Sequence, residues 1–375
     1  MGRSANNGAN RSPSRLMPPT LLVDTGVLAG TANAFPSHWL DGFDLLPYPP
    51  RQLLAADPQN LQQADAVLLR SITQLGDSQL PHMPALSAVA TLSSGTDHID
   101  SAALQQRQVT LHTGHGGNAR AVVDWVQWVL ERVLPGSGPL RVLIVGVGAV
   151  GGLLARRLLD DGVHVVVCDP PRAEREEQAV AGLAFVDLDA ALAQPLDAIT
   201  LHVPLERSGR NPTANLLSGE RLRQLAELGA PVVLNAARGG ILDEGAAAKL
   251  VLAGRLRGLV LDTFAGEPRP DPQVVAACAL ATPHIAGHSI EGKLDVSHRA
   301  LQGLRERFGL PPVESLLSAV ERELAKQGRG EVPTAFAGLD ECARSFSSYV
   351  DDQSIFDHLR HGHLRRERLP ISAYK

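Results

Sequence analysis

The chain has 375 residues, of which 44% are hydrophobic and 20% charged, and its formal net charge is −5. This composition is typical of a soluble globular protein with room for two or three domains. The negative net charge excludes an overall cationic field, so we expect no nucleic-acid partner. No apolar run approaches the ~20 residues that span a bilayer, so we expect no membrane partner. Three widely spaced cysteines, Cys168, Cys278 and Cys342, do not form a disulfide framework, which favours a cytoplasmic location.

The first part of the chain contains five short apolar runs. Before them, residues 1–20 are rich in Asn, Ser, Arg, Gly and Pro, which predicts a disordered leader. The apolar runs predict a doubly wound parallel sheet that is buried on both faces, and hence a first α/β domain over residues 21–114. The predicted strands cover residues 21–24, 43–48, 66–70, 88–94 and 109–113.

A second series of strands follows a long predicted helix over residues 116–134, which ends at Pro135. Helical stretches separate most of these strands, and this alternation is typical of βαβ units. The sequence therefore predicts a second doubly wound parallel-sheet domain over residues 115–286. The predicted strands cover residues 141–148, 164–169, 198–203, 231–237, 258–264 and 279–283.

The last residues, 301–375, differ in character from the rest of the chain. Residues 313–327 have the pattern of an amphipathic helix, and residues 356–369 that of a more basic one. Their apolar positions lack an obvious core of their own, so we expect a dimerisation segment and a homodimer. The nearby histidines fit no standard set of metal ligands, and a solvated helix face explains them, so we expect no metal. These histidines are His358, His361 and His363.

A glycine-rich turn predicts a dinucleotide site. Gly146, Gly148 and Gly151 form a G-x-G-x-x-G pattern that follows an apolar strand and opens a helix, where phosphates meet free N–H groups. Asp169 ends the next strand, at the position of a carboxylate that binds the ribose hydroxyls. This carboxylate would repel a 2′-phosphate and so favours NAD over NADP, although Arg172 can offer a phosphate a cation.

Three polar residues that follow predicted strands suggest one reaction. Arg238, Glu267 and His284 each come just after a strand of the second domain, at the edge where ligands of open α/β sheets bind. The oxidation of a 2-hydroxy acid needs a cation for the carboxylate, a base for the hydroxyl proton and a hydride acceptor. Arg238 can supply the cation and His284 the base, while Glu267 orients the imidazole. Taken singly, each residue has an ordinary alternative role. Arg238 can form a surface salt bridge, Glu267 can be a carboxylate at the start of a helix, and His284 can be a loop histidine.

Three segments carry a resemblance to a known family. Residues 235–244 read "NAARGGILDE", residues 261–268 "LDTFAGEP" and residues 282–292 "TPHIAGHSIEG". They resemble the signature segments of the D-isomer-specific 2-hydroxyacid dehydrogenases. The resemblance implies a flavodoxin-like substrate domain over residues 21–114, completed by about 287–300, and a Rossmann NAD domain over residues 115–286. It also implies a small dimerisation segment at the C-terminus.

The same resemblance implies roles for individual positions. It implies that Arg238 and Glu267 are active-site residues and that His284 is the proton donor and acceptor. Ser71, Ser93 and His288 fall at substrate-contacting positions. The NAD-contacting positions are Ala149, Val150, Asp169, Val203, Ala236, Ala237, Asp262 and Gly287. The sequence departs from the usual family residues at Ser93 (often Thr), Val203 (often Thr), Ala237 (often Cys) and His288 (often Tyr).

The implied substrate is a small phosphorylated 2-hydroxy acid, whose phosphate requires its own cation or N–H donors. Arg70 is the candidate, because it ends a predicted strand beside Ser71, and the turn 93–98 can add a small anion nest. A structural salt bridge is the alternative role for Arg70. Two alternative functions stay open: a dehydrogenase of glycerate, hydroxypyruvate or 3-phosphoglycerate, and a non-enzymatic protein that senses NAD.

Overall fold

The structure is a computed structural model that describes residues 17–29, 35–136, 140–175 and 180–315. It also describes five later residues, Leu339, Cys342, Ala343, Phe346 and Phe356. Most of the predicted leader, most of the two predicted C-terminal helices and their three histidines lie outside the described residues. The chain divides into two compact units: a first unit of residues 1–114 and 297–313, and a second unit of residues 115–296 and 314–375.

The first unit contains a five-stranded parallel sheet, as the apolar runs predict. The strand order is β2-β1-β3-β4-β5, which is the flavodoxin-like order. Two of the central strands consist of aliphatic residues and one threonine, and all of them are buried, because helices or turns cover each face of the sheet. The strands are β1 (Thr20–Asp24), β2 (Asp44–Tyr48), β3 (Ala66–Leu69), β4 (Ala88–Thr91) and β5 (Thr110–Thr113). The helices are α1 (Thr25–Leu28), α2 (Pro58–Gln63) and α3 (Ser101–Gln106).

The second unit contains a six-stranded parallel sheet with the order β11-β10-β9-β8-β6-β7. The strands are β6 (Arg141–Val145), β7 (His164–Cys168), β8 (Ala198–Leu201), β9 (Val232–Asn235), β10 (Gly258–Leu261) and β11 (Leu280–Ala281). A single parallel bridge from Phe185 to Val167 extends the sheet beyond β7. The chain therefore winds both ways from β6, as in a Rossmann fold, and the order reverses between β6 and β8. The predicted doubly wound α/β class is confirmed.

Helices cover the second sheet. They are α4 (Ala119–Val133), α5 (Ala149–Asp160), α6 (Pro170–Glu174), α7 (Leu188–Leu192), α8 (Gly219–Leu228), α9 (Glu244–Leu252) and α10 (Pro272–Ala277), whereas α11 (Ile290–Arg307) begins in the second unit and ends in the first. Of these, α4 is buried along most of its length, including Trp125 and Trp128. Within the described ranges, no helix is long and apolar enough to cross a membrane.

The chain returns to the first unit through residues 297–313, a little later than the predicted return at about 287–300. Arg305 fixes this return, because its buried guanidinium donates hydrogen bonds to three carbonyl oxygens. These oxygens belong to Trp39 (3.0 Å), Asp41 (2.7 Å) and Pro311 (2.7 Å). Burial lowers the pKa of the guanidinium, but the charge is compensated by hydrogen bonds to carbonyl dipoles.

The described residues near the C-terminus belong to the core of the second unit. Leu339 and Cys342 pack on one side of the sheet, and Phe346 and Phe356 on the other. Phe346 lies between Phe356, at a ring-centroid distance of 5.8 Å, and Phe264, at 5.6 Å. All four side chains therefore belong to an internal core, including Phe356, which falls in the second predicted amphipathic helix. The predicted homodimer stays a prediction.

Candidate active site

Three neighbouring strands place the predicted catalytic residues on one edge of the second sheet. Arg238 follows β9, Glu267 follows β10 and His284 follows β11, and these strands pair in parallel. Because parallel strands end at the same edge, the three side chains share the carboxyl edge of the sheet. Arg238 and His284 are 46 positions apart in the sequence, but they follow strands β9 and β11, which lie on either side of β10 in the sheet.

Glu267 and His284 form a direct pair. The distance from Nδ1 of His284 to Oε2 of Glu267 is 2.8 Å, and both side chains are partly exposed. The second carboxylate oxygen of Glu267 accepts a hydrogen bond of 2.8 Å from the N–H of Phe264. With Nδ1 committed to the carboxylate, Nε2 is the ring nitrogen that can take a proton from a substrate.

The backbone that carries His284 is held by Asp262. His284 has a φ of +56°, a left-handed conformation that is strained for a residue other than glycine. Asp262 stabilises it, because its carboxylate accepts hydrogen bonds from the hydroxyl of Thr282 (2.6 Å), the N–H of Ile285 (2.7 Å) and the N–H of Ala286 (2.9 Å). Asp262 is only 1% exposed, and this burial raises the pKa of its carboxyl group. Its carboxylate thus shapes the His284 turn, and its contact with NAD stays a prediction.

The turn that carries Arg238 is braced by Asn235, a residue that sequence reasoning missed. The amide of Asn235 donates to the carbonyl of Arg238 (2.7 Å) and accepts from the N–H of Ala237 (3.1 Å). The sequence feature that could have identified Asn235 is a polar residue at the end of the fully buried strand β9. The guanidinium of Arg238 donates to the carbonyl of Ala237 at 2.8 Å and lies at intermediate exposure.

The Arg238 turn lies directly against the Glu267 turn. A Cβ atom on Gly239 would come within 2.0 Å of the carbonyl carbon and oxygen of Phe264, so only glycine allows this approach. Glu244, at the start of α9, also reaches both turns. It accepts hydrogen bonds from Ala265 (2.7 Å) and Gly240 (3.3 Å). Nothing in the sequence distinguishes Glu244 from an ordinary acidic residue in the first turn of a helix.

The glycine-rich turn has the geometry that a dinucleotide requires. Gly146 has a φ of +88°, and an added Cβ would lie 2.7 Å from a methyl group of Val203, so β6 and β8 approach closely here. A Cβ on Gly151 would lie 2.0 Å from the carbonyl oxygen of Gly146. Glycine at position 151 therefore allows α5 to start close to the end of β6. No atom lies within 4 Å of the corresponding position at Gly148, which caps α5. Open space therefore faces the helix N-terminus, where N–H groups bind phosphate, and these residues fit NAD.

Asp169 lies next to this turn, at the end of β7. One carboxylate oxygen accepts a hydrogen bond of 2.8 Å from the N–H of Val147, and the other accepts from the N–H of Arg172 at 3.2 Å. The guanidinium of Arg172 donates to the carbonyl of Val147 and lies 5.4 Å from the ring centre of Phe185. Asp169 is thus fixed beside the glycine turn with its carboxylate partly exposed.

The remaining predicted cofactor positions lie on the same side of the second sheet. They follow the ends of strands or open helix α5; Ala149 is exposed, and the others are of intermediate exposure. These positions are Ala149, Val150, Val203, Ala236, Ala237 and Gly287. His288, a predicted substrate contact, follows Gly287. Its N–H donates a hydrogen bond of 2.8 Å to the carbonyl of Ile285, which closes a turn.

The other predicted substrate residues lie at the carboxyl edge of the first sheet. Arg70 and Ser71 follow β3, and Ser71 is exposed. The guanidinium of Arg70 is bound to Asp24, which ends the neighbouring strand β1, at 2.7 Å from both Nε and Nη2. Asp24 is completely buried and was not predicted. The salt-bridge alternative for Arg70 is therefore present in the structure, while its Nη1 makes no hydrogen bond with a described residue.

Ser93 follows β4 and is held by a short polar chain. Its hydroxyl lies 2.7 Å from Oγ1 of Thr91 and donates to the carbonyl of Gly95 at 2.7 Å. Oγ1 of Thr91 lies 3.0 Å from Nε2 of His98, whose pKa is lowered by burial. A neutral His98 thus braces the turn that carries Ser93. In the described part of the chain, no three His, Cys, Asp or Glu side chains cluster as metal ligands.

Comparisons with known proteins show the family and the fold of the chain. A family model described as D-isomer specific 2-hydroxyacid dehydrogenase, NAD binding domain, matches residues 123–286. A protein named erythronate-4-phosphate dehydrogenase from Pseudomonas paraeruginosa is 37% identical over 269 residues, which are 69% of this chain and 69% of that relative. One of the same name from Salinibacter ruber is 34% identical over 348 residues, 86% of each chain.

A solved structure shows the same fold. D-lactate dehydrogenase from Aquifex aeolicus, complexed with NAD and lactic acid, matches 77% of this chain and 95% of its own, with a TM-score of 0.55 at 18% identity. Together, the fold, the glycine turn and the sequence relatives define an NAD-dependent dehydrogenase. The chain belongs to the D-isomer-specific 2-hydroxyacid dehydrogenase family.

Proposed function

We propose that this dehydrogenase oxidises 4-phospho-D-erythronate to 2-oxo-3-hydroxy-4-phosphobutanoate with NAD, as a step in pyridoxal phosphate biosynthesis. The observation that carries the reaction type is the 2.8 Å contact between Glu267 and His284 on the sheet edge that also bears Arg238. The names of the sequence relatives from Pseudomonas paraeruginosa and Salinibacter ruber support the choice of substrate.

The reaction divides between three side chains and the cofactor. Arg238 binds the substrate carboxylate, because a guanidinium offers two parallel N–H donors to two oxygens. Nε2 of His284 takes the proton of the C2 hydroxyl, and the carboxylate of Glu267 stabilises the positive charge that the imidazole gains. NAD supplies the acceptor for the hydride that leaves C2. The C2–O bond then becomes a carbonyl, and His284 releases its proton before the next turnover.

Within the first unit, three residues are proposed to bind substrate. Ser71, Ser93 and Arg70 follow two adjacent parallel strands, and Asp24 orients the guanidinium of Arg70. Two of its nitrogens contact the Asp24 carboxylate, which leaves Nη1 as the donor for a phosphate oxygen. Asp24 and a bound phosphate can therefore share this one cation.

Turnover of a substrate panel tests the proposal. Purified protein is incubated with NAD and a series of D-2-hydroxy acids, and NADH formation is followed by absorbance. The highest kcat/KM is expected with 4-phosphoerythronate. A higher value with glycerate or 3-phosphoglycerate would contradict the substrate while retaining the chemistry. The reverse reaction with hydroxypyruvate and NADH tests the remaining alternative in the same way.

The non-enzymatic alternative makes a different prediction. A protein that only senses NAD would bind the cofactor and turn over no member of the panel. The paired Glu267 and His284 favour an enzyme, because binding of NAD alone requires no proton acceptor beside the site. Titration of the protein with NADH, followed by fluorescence, separates loss of cofactor binding from loss of turnover.

A further inference from the structure

Glu244 is a buried carboxylate close to the catalytic edge that the proposed reaction does not use. It opens helix α9 directly after the helix cap Asp243 and is 8% exposed. A carboxylate at this depth is costly unless its oxygens have hydrogen-bond donors. Its donors therefore indicate what the side chain does.

Both donors to Glu244 belong to turns that carry catalytic residues. Oε1 accepts one hydrogen bond from the N–H of Ala265 at 2.7 Å and another from the N–H of Gly240 at 3.3 Å. Gly240 lies two residues after Arg238, and Ala265 lies two residues before Glu267. A single oxygen atom thus links the turn after β9 to the turn after β10.

The two turns leave little free space between them. The hypothetical Cβ of Gly239 comes within 2.0 Å of the Phe264 carbonyl group, so the two backbones are already in contact. The N–H of Phe264 in turn donates to Oε1 of Glu267 at 2.8 Å. A shift of the Phe264–Ala265 backbone would therefore move the carboxylate that orients His284.

We propose that Glu244 is a positioning residue, which fixes the spacing between the Arg238 guanidinium and the Glu267–His284 pair through one acceptor oxygen. The proposal rests on the roles given above to Arg238, Glu267 and His284. Its physical basis is that a displacement of about 1 Å in a reacting group can cost about 10²-fold in rate. Glu244 is not itself a catalytic residue, because it acts through the two backbone N–H groups that donate to its Oε1 and not on substrate or cofactor.

The required property is the place of the oxygen atom and not its charge. Burial raises the pKa of Glu244 to about 7, and the neighbouring carboxylates of Glu267 and Asp243 act in the same direction. Protonation on the second oxygen leaves Oε1 as an acceptor. The link between the turns is therefore retained in both protonation states.

Two substitutions separate these properties. Glu244→Gln keeps an oxygen in the same place and removes the charge, whereas Glu244→Asp keeps the charge and withdraws the oxygen by one methylene group. Asp65→Ala is the matched control. Asp65 is also 8% exposed and accepts a backbone hydrogen bond, from Thr20 at 3.0 Å, but it lies at the amino ends of β1 and β3 in the first unit.

For each variant we would measure kcat and KM with the 2-hydroxy acid that the wild type oxidises fastest, and NADH binding by fluorescence. The ¹⁵N chemical shift of Nδ1 of His284 would report the hydrogen bond to Glu267 without any substrate. We expect Glu244→Asp to lower kcat by about 10-fold or more, to shift the Nδ1 signal and to bind NADH normally. Glu244→Gln and Asp65→Ala should both retain the wild-type kcat and Nδ1 signal.

A wild-type kcat and Nδ1 signal in Glu244→Asp would overturn the proposal. Equal losses in Glu244→Asp and Glu244→Gln would also overturn it, because the charge and not the position of the oxygen would then matter. If the wild type oxidised no 2-hydroxy acid, the proposed function would fail by itself. The Nδ1 signal would still decide whether Glu244 positions the pair.

Discussion

The Nδ1 atom of His284 lies 2.8 Å from Oε2 of Glu267, although the two residues follow different strands. The left-handed backbone of His284, with a φ of +56°, lies in the turn that brings the imidazole to this carboxylate. The free energy of this strained conformation is offset by the hydrogen bonds that the buried Asp262 accepts from Ile285 and Ala286. The orientation of the proposed base therefore depends on two carboxylates with different tasks.

The first prediction concerns this pair. His284→Ala should lower kcat by about 10²–10⁴-fold, since general acid–base catalysis is commonly worth that much. Glu267→Gln should move the pH–rate profile to lower pH, because the protonated imidazole loses a neighbouring negative charge. Both effects are measured in steady-state assays across pH 5–9. Wild-type rates across that range in both variants would show that the pair is not the acid–base group.

The second prediction concerns cofactor choice. Asp169→Ala should raise kcat/KM with NADP relative to NAD, because a carboxylate beside the ribose repels a 2′-phosphate. The same change removes acceptors for the N–H groups of Val147 and Arg172, so activity with NAD should also fall. Asp169→Asn is the comparison, since it retains an acceptor oxygen and loses only the charge, so its NADP/NAD ratio should also rise while more of the activity with NAD is kept. An unchanged NADP/NAD ratio in both variants would contradict this role.

The third prediction separates the two roles of Arg70. If Nη1 binds the phosphate, Arg70→Ala should weaken catalysis on 4-phosphoerythronate by about 2–3 kcal/mol and affect an unphosphorylated 2-hydroxy acid far less. Asp24→Asn provides the comparison, because it weakens the ion pair but retains the guanidinium. Equal losses of kcat/KM on both substrates in Arg70→Ala would show that the arginine supports only the fold.

The fourth prediction is a pH dependence of stability that comes from Glu244. Its pKa is about 7 in the folded chain and near 4.5 when unperturbed, so between these values the folded chain holds a proton that the unfolded chain releases. This contribution to stability is complete below pH 4.5 and is lost as the pH rises through 7. Glu244→Gln lacks it, so its free energy of unfolding should rise relative to the wild type between pH 5 and pH 8. The upper limit is about 3 kcal/mol, at ~1.4 kcal/mol per unit of pKa.

Chemical denaturation at the two pH values measures this difference. Glu220→Gln is the control, because Glu220 lies in the first turn of α8 but is exposed. Its free energy of unfolding should follow the wild type at both pH values. A parallel course of wild type and Glu244→Gln from pH 5 to pH 8 would contradict the raised pKa.

The fifth prediction concerns the C-terminal residues. Phe346→Ala should destabilise the second unit by about 3–5 kcal/mol, because it leaves a cavity between Phe264 and Phe356. Leu252→Ala is the control, since that side chain is 74% exposed and should be nearly neutral. Thermal unfolding with and without NADH measures both. A Phe346→Ala variant as stable as the wild type would show that this aromatic contact contributes nothing.

The predicted homodimer needs a separate measurement on the full chain. Truncation after residue 315 would remove Phe346 and Phe356 from the core, so loss of a dimer in that variant would have two explanations. Sedimentation of the intact protein at micromolar concentration avoids this difficulty. A dimer is expected, and a monomer at that concentration would contradict the prediction made from the amphipathic pattern.

Local patterns in the sequence were sufficient for the architecture, and they also predicted which residues follow the strands at the carboxyl edge of the second sheet. Aliphatic runs of strand length predicted both parallel sheets, because helices bury both faces of such sheets. Element ends were less well predicted. The predicted strand over residues 88–94 ends at Thr91, where the hydroxyl of Ser93 turns back to the carbonyl of Gly95. Helix α4 begins at Ala119, after Gly116 adopts a φ of +77°.

The sequence alone determined which residue types stand at the ends of parallel strands, and topology then places those ends together. It therefore determined the glycine turn, Asp169, and the group of Arg238, Glu267 and His284. Pairing across strands was decided only in the tertiary structure.

The ion pair of Arg70 with Asp24 joins residues 46 positions apart. The contact of Phe346 with Phe264 likewise joins distant segments of the chain. Glu244 has the sequence context of any acidic helix start, and only the approach of the β10 turn gives it a second partner. Periodicity reports whether a side chain is buried, but the identity of its neighbours depends on strand order and on how closely two backbones can approach.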